Sequence, residues 1–595
     1  MKTRTWSPLA RLALFLVMVP SAFGQSHDSF ADTWVATDAL GRQVPIFPEV
    51  PRPRADRTVG IFYFLWHGAH IQGGPFDVTR ILAADPGAMQ KPESPLWGPL
   101  HAPHHWSESL FGYYLTDDEG VLRKHAQMLA DAGVDVVIFD VTNQTTYRDY
   151  YRVLLRVWSE MRRLGNRTPQ VAFLTPFWDP AKVTRELWRD LYSPGLHRDL
   201  WFHWEGKPLI LADPKLIAVA GDAQQILDFF TFRKPQPDYF QGPTKPDSWS
   251  WLEVFPQHVF TNSAGQKEQM SVGVAQNAVH GRLGSMSEPG AQGRSFHHGA
   301  TDPRPDAVRF GLNAAEQWER ALMEDSRFIF ATGWNEWFAG RFAEFNHVKL
   351  PVMFVDAFDH EHSRDIEPMR GGHGDDYYYQ FVSYVRRYKG ARPLSLLESH
   401  PIEIDGRFED WRRVQPEFHD TIGDQVRREH RGWATNVTYR NMSGRNDIVV
   451  AKVSWSKTTA WFYVRTREPI TPPGGTNWML LFLDTDADAE TGWLGYDFVA
   501  NLAGAGTLER VVGSGFNRSL AGKVKWCVQG NEMELAIPWK SLGLKSPPAK
   551  LDFKWADNCL QACDWTDFTL NGDAAPNDRF NYRAQPRGKT PARIP

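Results

Sequence analysis

GVDVVIFD, residues 133–140, is the stretch on which the fold of this chain turns. Gly133 stops the helical spacing before it, Val134–Phe139 is an apolar run broken only by Asp135, and Asp140 ends it. A short strand that is apolar on both faces belongs in a parallel sheet covered by helices. Working outward, Asp117–Ala132 has helical spacing (Val121, Leu122, Ala126, Leu129) with acidic residues at its start. Downstream the alternation continues: helix 147–164, strand 170–174, helix 181–192, strand 208–211 and helix 223–230. Weaker strands at 249–255 and 269–274 precede a helix at 313–323 and a strand from Phe328, and Thr58–Leu65 opens the series. No glycine-rich phosphate fingerprint follows that first strand, which argues against a dinucleotide fold. Seven or eight strand–helix units over about 340 residues predict an α/β domain of the (β/α)8 barrel class at residues 58–395.

Polar and aromatic residues collect where these strands end: Trp66-His67, Asp140, Trp178-Asp179, Asp213, Glu253 and Glu336. In such barrels that is the face on which active sites are built. The last of these sits in SRFIFATGWNEWFAGRF, residues 326–342, with Glu336 between Trp334 and Trp337. Burial there is expected to raise the Glu336 pKa, which suits a general acid, although a structural carboxylate fits the same pattern. Glycosidic cleavage uses two carboxyl groups, and the candidates for the second are, in order, Glu253, Asp179 and Asp140. Trp66, Trp178, Trp251, Trp334 and Trp337 are candidate platforms for sugar rings, with His67 and Asn335 beside them. His67, His70, His101, His104 and His105 lack the ligand spacing of a zinc motif, so they are expected to bind sugar or pack loops, and no catalytic cofactor is expected. Residues 69–115 are too long to be idle and are read as a lid or binding loop, and a second charge-rich loop follows Phe354.

The composition is ordinary for a globular protein, 42% hydrophobic and 23% charged, with a net charge of −4 that offers nothing to nucleic acid or an anionic membrane. Tryptophan is the exception: 25 residues, an excess that fits a sugar-gripping surface. Residues 1–24 read as a signal peptide: Lys2, Arg4 and Arg11, the apolar run Leu12–Val19, then small residues before a cut after Gly24. The run is too short to span a bilayer, so a secreted or periplasmic monomer acting on a poly- or oligosaccharide is expected. Residues 25–57 form a lead-in segment. The three cysteines, Cys527, Cys559 and Cys563, allow one bridge, with Cys559–Cys563 the nearest pair.

From residue 401 onward, strand-like alternation replaces helical spacing, in segments such as 448–455, 459–466, 478–484, 532–537 and 553–555. Short strands separated by turn signals predict a β-sandwich at 401–595, with the boundary near 395 in a Pro-flanked linker. Asp484, Asp486 and Asp488 alternate with Thr485 and Ala487, so a turn can bring their oxygens onto one calcium ion; a solvated acidic turn is the alternative.

Two resemblances add to this reading. The barrel resembles glycoside hydrolase family 99, endo-acting α-mannosidases and mannanases, through Ile61–Trp66, Gly133–Val137 and Asn335-Glu336-Trp337. It implies a glycoside hydrolase, with Glu336 retained and Arg294 among the substrate-binding residues. The family's second Glu, three residues after the first, is Ala339 here, so its paired-carboxylate arrangement does not carry over whole. The second domain resembles family 9 carbohydrate-binding modules through Ile404–Trp411, Leu483–Asp486, Gly492–Asp497 and Ala536–Trp539. That resemblance implies sugar binding and a structural calcium. The alternative to an enzyme is a non-catalytic glycan-binding protein on a barrel scaffold.

Overall fold

The computed structural model describes residues 27–217, 221–434 and 436–587; the segment read as a signal peptide lies outside them. Eight parallel strands organise the first domain: β1 (Thr58–Tyr63), β2 (Val136–Asp140), β3 (Gln170–Leu174), β4 (Lys207–Leu211), β5 (Thr231–Pro235), β6 (Ser248–Trp249), β7 (Lys267–Gly273) and β8 (Phe328–Thr332). They lie in sequence order from β1 to β6, and β8 sits between β1 and β7. The free edges of β6 and β7 are brought together by other means. The Asp247 amide donates to Thr261 O (3.0 Å), on the short strand paired with β7. Gln269 on β7 accepts from the Ser250 amide (3.2 Å) and donates to Ser250 O (2.9 Å).

Strand periodicity separates two cores. Val59, Ile61, Val137, Phe139, Val171, Phe173, Ile210, Ile329 and Ala331 face the helices. Their neighbours Phe62, Val136, Ile138, Ala172, Leu174, Leu209, Leu211, Trp249, Phe328 and Phe330 form a separate inner cluster. Phe328 of β8 packs tilted at 4.5 Å on Trp249 of β6 and edges onto Trp204 and Phe202, so rings from opposite sides of the sheet fill the interior. Helices α1 (Glu119–Asp131), α2 (Arg148–Arg163), α3 (Ala181–Leu187), α4 (Ala223–Phe229), α5 (Leu312–Glu324) and α6 (Asp376–Lys389) supply the cover. Asp118 caps α1, its carboxylate accepting from Gly120 and Val121.

β5 is the strand that sequence pattern misses, because Arg233, Lys234 and Pro235 hide it. The Arg233 charge is met inside the sheet by buried Glu268 (2.6 and 2.7 Å), which also accepts from the indoles of Trp204 and Trp249. The strand expected at 249–255 stops at Trp249, and the chain beyond it turns through Phe255-Pro256. Residues 69–115 are built into the fold: Pro103–His105 pairs with β9 (Phe338–Phe345), which hairpins with β10 (Val348–Phe354).

The second domain is two antiparallel sheets face to face, one of five strands and one of seven. Ile448, Val453, Phe462 and Leu535 of the first pack with Leu481, Leu483, Phe553 and Trp555 of the second. The edge strand Asn517–Lys523, exposed almost throughout, carries no apolar alternation and is silent in the sequence. All three cysteines are free, so the bridge Cys559–Cys563 is not formed.

The two domains are stitched together. Arg386 of α6 donates to the carbonyls of Ala31, Trp34 and Pro45 in the lead-in segment. Trp34 packs on Phe580 and Tyr582 of the sandwich. A sandwich hairpin, Arg428–Arg431 with Thr438–Asn441, carries Trp433, whose amide bonds Tyr113 O and whose indole bonds Gly73 O. No helix among the described residues is long and apolar enough to cross a membrane.

Candidate active site

Glu336 lies just past β8, 3% exposed, with Oε2 held by the Arg364 guanidinium at 2.8 and 3.0 Å. Arg364 also reaches Asp356 (3.4 Å) and Asn277 Oδ1 (3.4 Å), and Tyr239 lies beside it. Burial pushes the Glu336 carboxyl well up, Arg364 pulls it down, and Asp356 and Asp365 push it up again. Asp140, half-buried at the end of β2, is raised to about 6 by burial, with Asp356 adding to the shift and Arg364 opposing it. Arg364 and Asp356 therefore act on both Asp140 and Glu336 at the carboxyl ends of the strands.

The backbone that presents Glu336 is held from behind. The Glu336 amide donates to Asp365 Oδ1, and Asp365 Oδ2 accepts from the Trp106 indole (2.6 Å). Burial raises Asp365 to about 7. The Asn335 amide pairs with both backbone groups of Phe64 at 2.9 and 3.1 Å and donates to Tyr114 OH. His67 bonds Asn335 O at 2.9 Å, and burial lowers it to about 4, so it is a neutral strut. Glu367, fully buried, collects the Trp337 indole (2.6 Å), Ser109 (2.6 Å), Tyr114 (2.9 Å) and His125 (3.3 Å).

Several expected site residues stand elsewhere. Trp334 is fully buried, with the edge of its ring against His125, and Trp337 stacks on Trp106 at 4.7 Å; both are core, because the residues after β8 turn inward under the 365–367 segment. Arg294 is also fully buried, donating to Asp365 O and Ser363 Oγ and lying over Tyr377, so it braces the Glu336 support and has no open face for sugar. Glu253 is turned away: its carboxylate binds the His258 amide (2.7 Å) and ring, burial raises it to about 8, and its charged neighbours are Asp238 and Arg320. Asp179 is exposed and accepts from the Ala181 amide at the start of α3. Trp178 stands 67% exposed at the same rim, beside Phe177, which stacks on Trp251 at 4.7 Å. Trp66 is half-buried against Phe64 and Phe338. Ala339, 3% exposed, pairs with His104 on β9. The histidines pack loops: His104 bonds Ala102 O and Trp97 O, and His105 is wedged among Tyr113, Phe338 and Trp433.

Sequence reasoning missed Arg364, Asp356 and Asp365. Their only signal was charge density in the loop after Phe354, which reads equally well as a solvated segment.

At the acidic turn of the sandwich, the oxygens that converge within 4.8 Å belong to Asp484, Asp486 and Asp497, not Asp488. The strand ending at Asp484 is paired by the strand Phe498–Ala500, and the Asp497 amide bonds Leu483 O (2.9 Å), so the turn returns Asp497 beside Asp484. Asp488 caps the Glu490 amide instead. Burial, with Asp552 next, raises Asp484 to about 8.

No protein-family model matches the chain, and neither does any curated protein. Among solved structures, the family 99 endo-alpha-mannosidase from Bacteroides thetaiotaomicron is similar over 57% of this chain and 99% of its own, at 17% identity and a TM-score of 0.34. The same enzyme in complex with BIS-TRIS-propane gives 56%, 97%, 17% and 0.33. A family 9 carbohydrate-binding module from Caldicellulosiruptor kristjanssonii, in complex with cellotriose, is similar over 33% of this chain and 95% of its own, at 12% identity and a TM-score of 0.18.

Proposed function

We propose that the first domain is a (β/α)8 barrel and an exported glycoside hydrolase that cleaves a poly- or oligosaccharide by carboxylate acid–base catalysis. The observation that carries this is the group of Glu336, Arg364, Asp356 and Asp140 at the carboxyl ends of the strands, with exposed Trp178 at its rim. Glu336 is the acid: burial and two carboxylates favour its protonated form, and Arg364 fixes its orientation. Asp140, which sheds its proton near neutrality, is the second carboxylate and takes the base or nucleophile role. Trp178 supplies the stacking face for a sugar. The sandwich adds glycan binding, with a calcium ion held by Asp484, Asp486 and Asp497.

A second reading has one observation in its favour. Ala339 stands buried where family 99 enzymes carry their second Glu, so a glycan-binding protein without turnover fits that position. Incubation with a glycan panel, followed by measurement of new reducing ends, separates the two. Release from at least one glycan, abolished in Glu336→Gln, supports the enzyme; binding without release supports the alternative.

A further inference from the structure

A set of buried carboxylates outside the Glu336 site lies at the seam between the two domains. Asp420, Asp424 and Asp573 bring carboxylate oxygens within 4.8 Å of one another, and all three are buried. Each of the three can therefore offer one oxygen to a shared hard cation. Asp420 is 0% exposed, and neither of its carboxylate oxygens has a hydrogen-bond partner; the same is true of both oxygens of Asp424. Asp573 spends only Oδ2, on the Ile448 amide (2.6 Å). Asp578, 3% exposed, adds two more unpartnered oxygens nearby, and Asp131 of α1 approaches through Asn577, which bonds both Asp131 (3.0 Å) and Thr421 (3.1 Å).

Among the described residues, none pairs with these carboxylates at ion-pair distance, although Lys124 acts on them from further off. Lys124 and Lys554 face it, but Lys124 donates to Gln127 Oε1 and Lys554 to Pro576 O, and neither forms an ion pair with these carboxylates. Asp447, the next acid along, is engaged by the Gly423 amide and loosely by Arg467. Burial, with repulsion from Asp424, pushes Asp420 and Asp573 well up, and burial raises Asp424 to about 7 against the pull of Lys124. Unpaired buried carboxylates are costly, and an all-oxygen anionic cage is what a hard divalent cation seeks.

The geometry points to a calcium site formed by Asp420, Asp424 and Asp573, separate from the Asp484 turn, that locks the sandwich onto the first domain. The ligands Asp420 and Asp424 bracket the docking contact itself. Between them, Ile422 exchanges both backbone groups with the side chain of Asn166, at 2.7 and 2.9 Å, and Gly423 packs on Leu164. Ordering that turn around a cation therefore orders the contact. Asp578 and Asp131 stand as further acceptors at its edge.

The test uses the full chain, stripped with chelator and desalted, with calcium chloride as the probe. Metal content, calorimetric titration and melting temperature are read for the parent, for Asp420→Asn/Asp573→Asn, and for Asp484→Asn/Asp486→Asn. The expected result is a calcium equivalent, resolved by stoichiometry from any at the Asp484 turn, that the Asp484 variant retains and the Asp420 variant lacks; the Asp420 variant also melts several degrees lower in calcium. The sign of that change keeps the test decisive. If no cation binds at the seam, replacing two mutually repelling carboxylates by amides relieves repulsion, and the Asp420 variant melts at or above the parent with the parent's calcium dependence unchanged. That result, or calcium retained undiminished in the Asp420 variant, overturns the proposal.

Discussion

Replacing Glu336 with Gln tests the centre of the catalytic reading. The side chain keeps its shape and an acceptor for Arg364, but it carries neither a proton to give nor a charge. Loss of general acid catalysis is worth on the order of 10²–10⁴ in rate, about 3–5 kcal/mol at 1.36 kcal/mol per decade. The structural cost differs. With the carboxyl protonated, Gln replaces one neutral acceptor by another, and Arg364 keeps Asp356 at 3.4 Å as its counter-charge. A stability loss of about 1–3 kcal/mol is therefore expected, small enough for the variant to fold. The assay pairs kcat/KM on the natural glycan with kcat/KM on an activated aryl glycoside, alongside a thermal melt. An acid's loss falls mainly on the natural glycan, because an activated leaving group needs little protonation. Equal losses on both substrates would move Glu336 to the nucleophile role. Turnover at the parental rate on the natural glycan would make Glu336 structural and remove the reasoning built on it.

Three further outcomes follow from the same geometry. With Asp140 raised to about 6 and acting ionised, kcat/KM should rise with pH through a limb centred near pH 6 and flatten above it; the residual activity of Asp140→Asn, followed across pH, should lack that limb. Trp178→Ala, at a residue 67% exposed, should raise KM several-fold and leave the melting temperature unchanged. Trp337→Ala, which leaves a hole beside Trp106, should cost about 3–5 kcal/mol, so a destabilising Trp178 and a silent Trp337 would reverse their assignments. Residues 401–595 expressed alone should retain the sandwich but melt below the intact chain and bind a hydrophobic dye. That fragment strips Trp34 from Phe580 and Tyr582, and dye-free melting at the parental temperature would refute the shared interface.

How much of this was legible in the sequence depended on the range of the interaction involved. The strands at 136–140, 170–174 and 328–332 and the helices between them were readable because apolar periodicity is local, and it places side chains on a face before any tertiary contact forms. β5 was not, since its Arg233 is compensated by Glu268 on a strand more than thirty residues later. Glu336 stood out by its position at a strand end between two indoles, but the same cue misled for the indoles themselves. Whether Trp334 and Trp337 face a sugar or the core is set by how the 365–367 segment folds beneath them, and local pattern carries no information about that. Glu253 and Asp140 look alike as strand-end acids, and only the packing turns one toward His258 and the other toward the charges of Asp356 and Arg364. The calcium turn shows the same limit: alternation picked Asp488, while the returning strand delivers Asp497. The carboxylates at the seam lie scattered from Asp131 to Asp578, and no motif joins them. Chain chemistry chose the elements and the strand-end acids; long-range packing chose which of those acids meet, because charge and burial act through space.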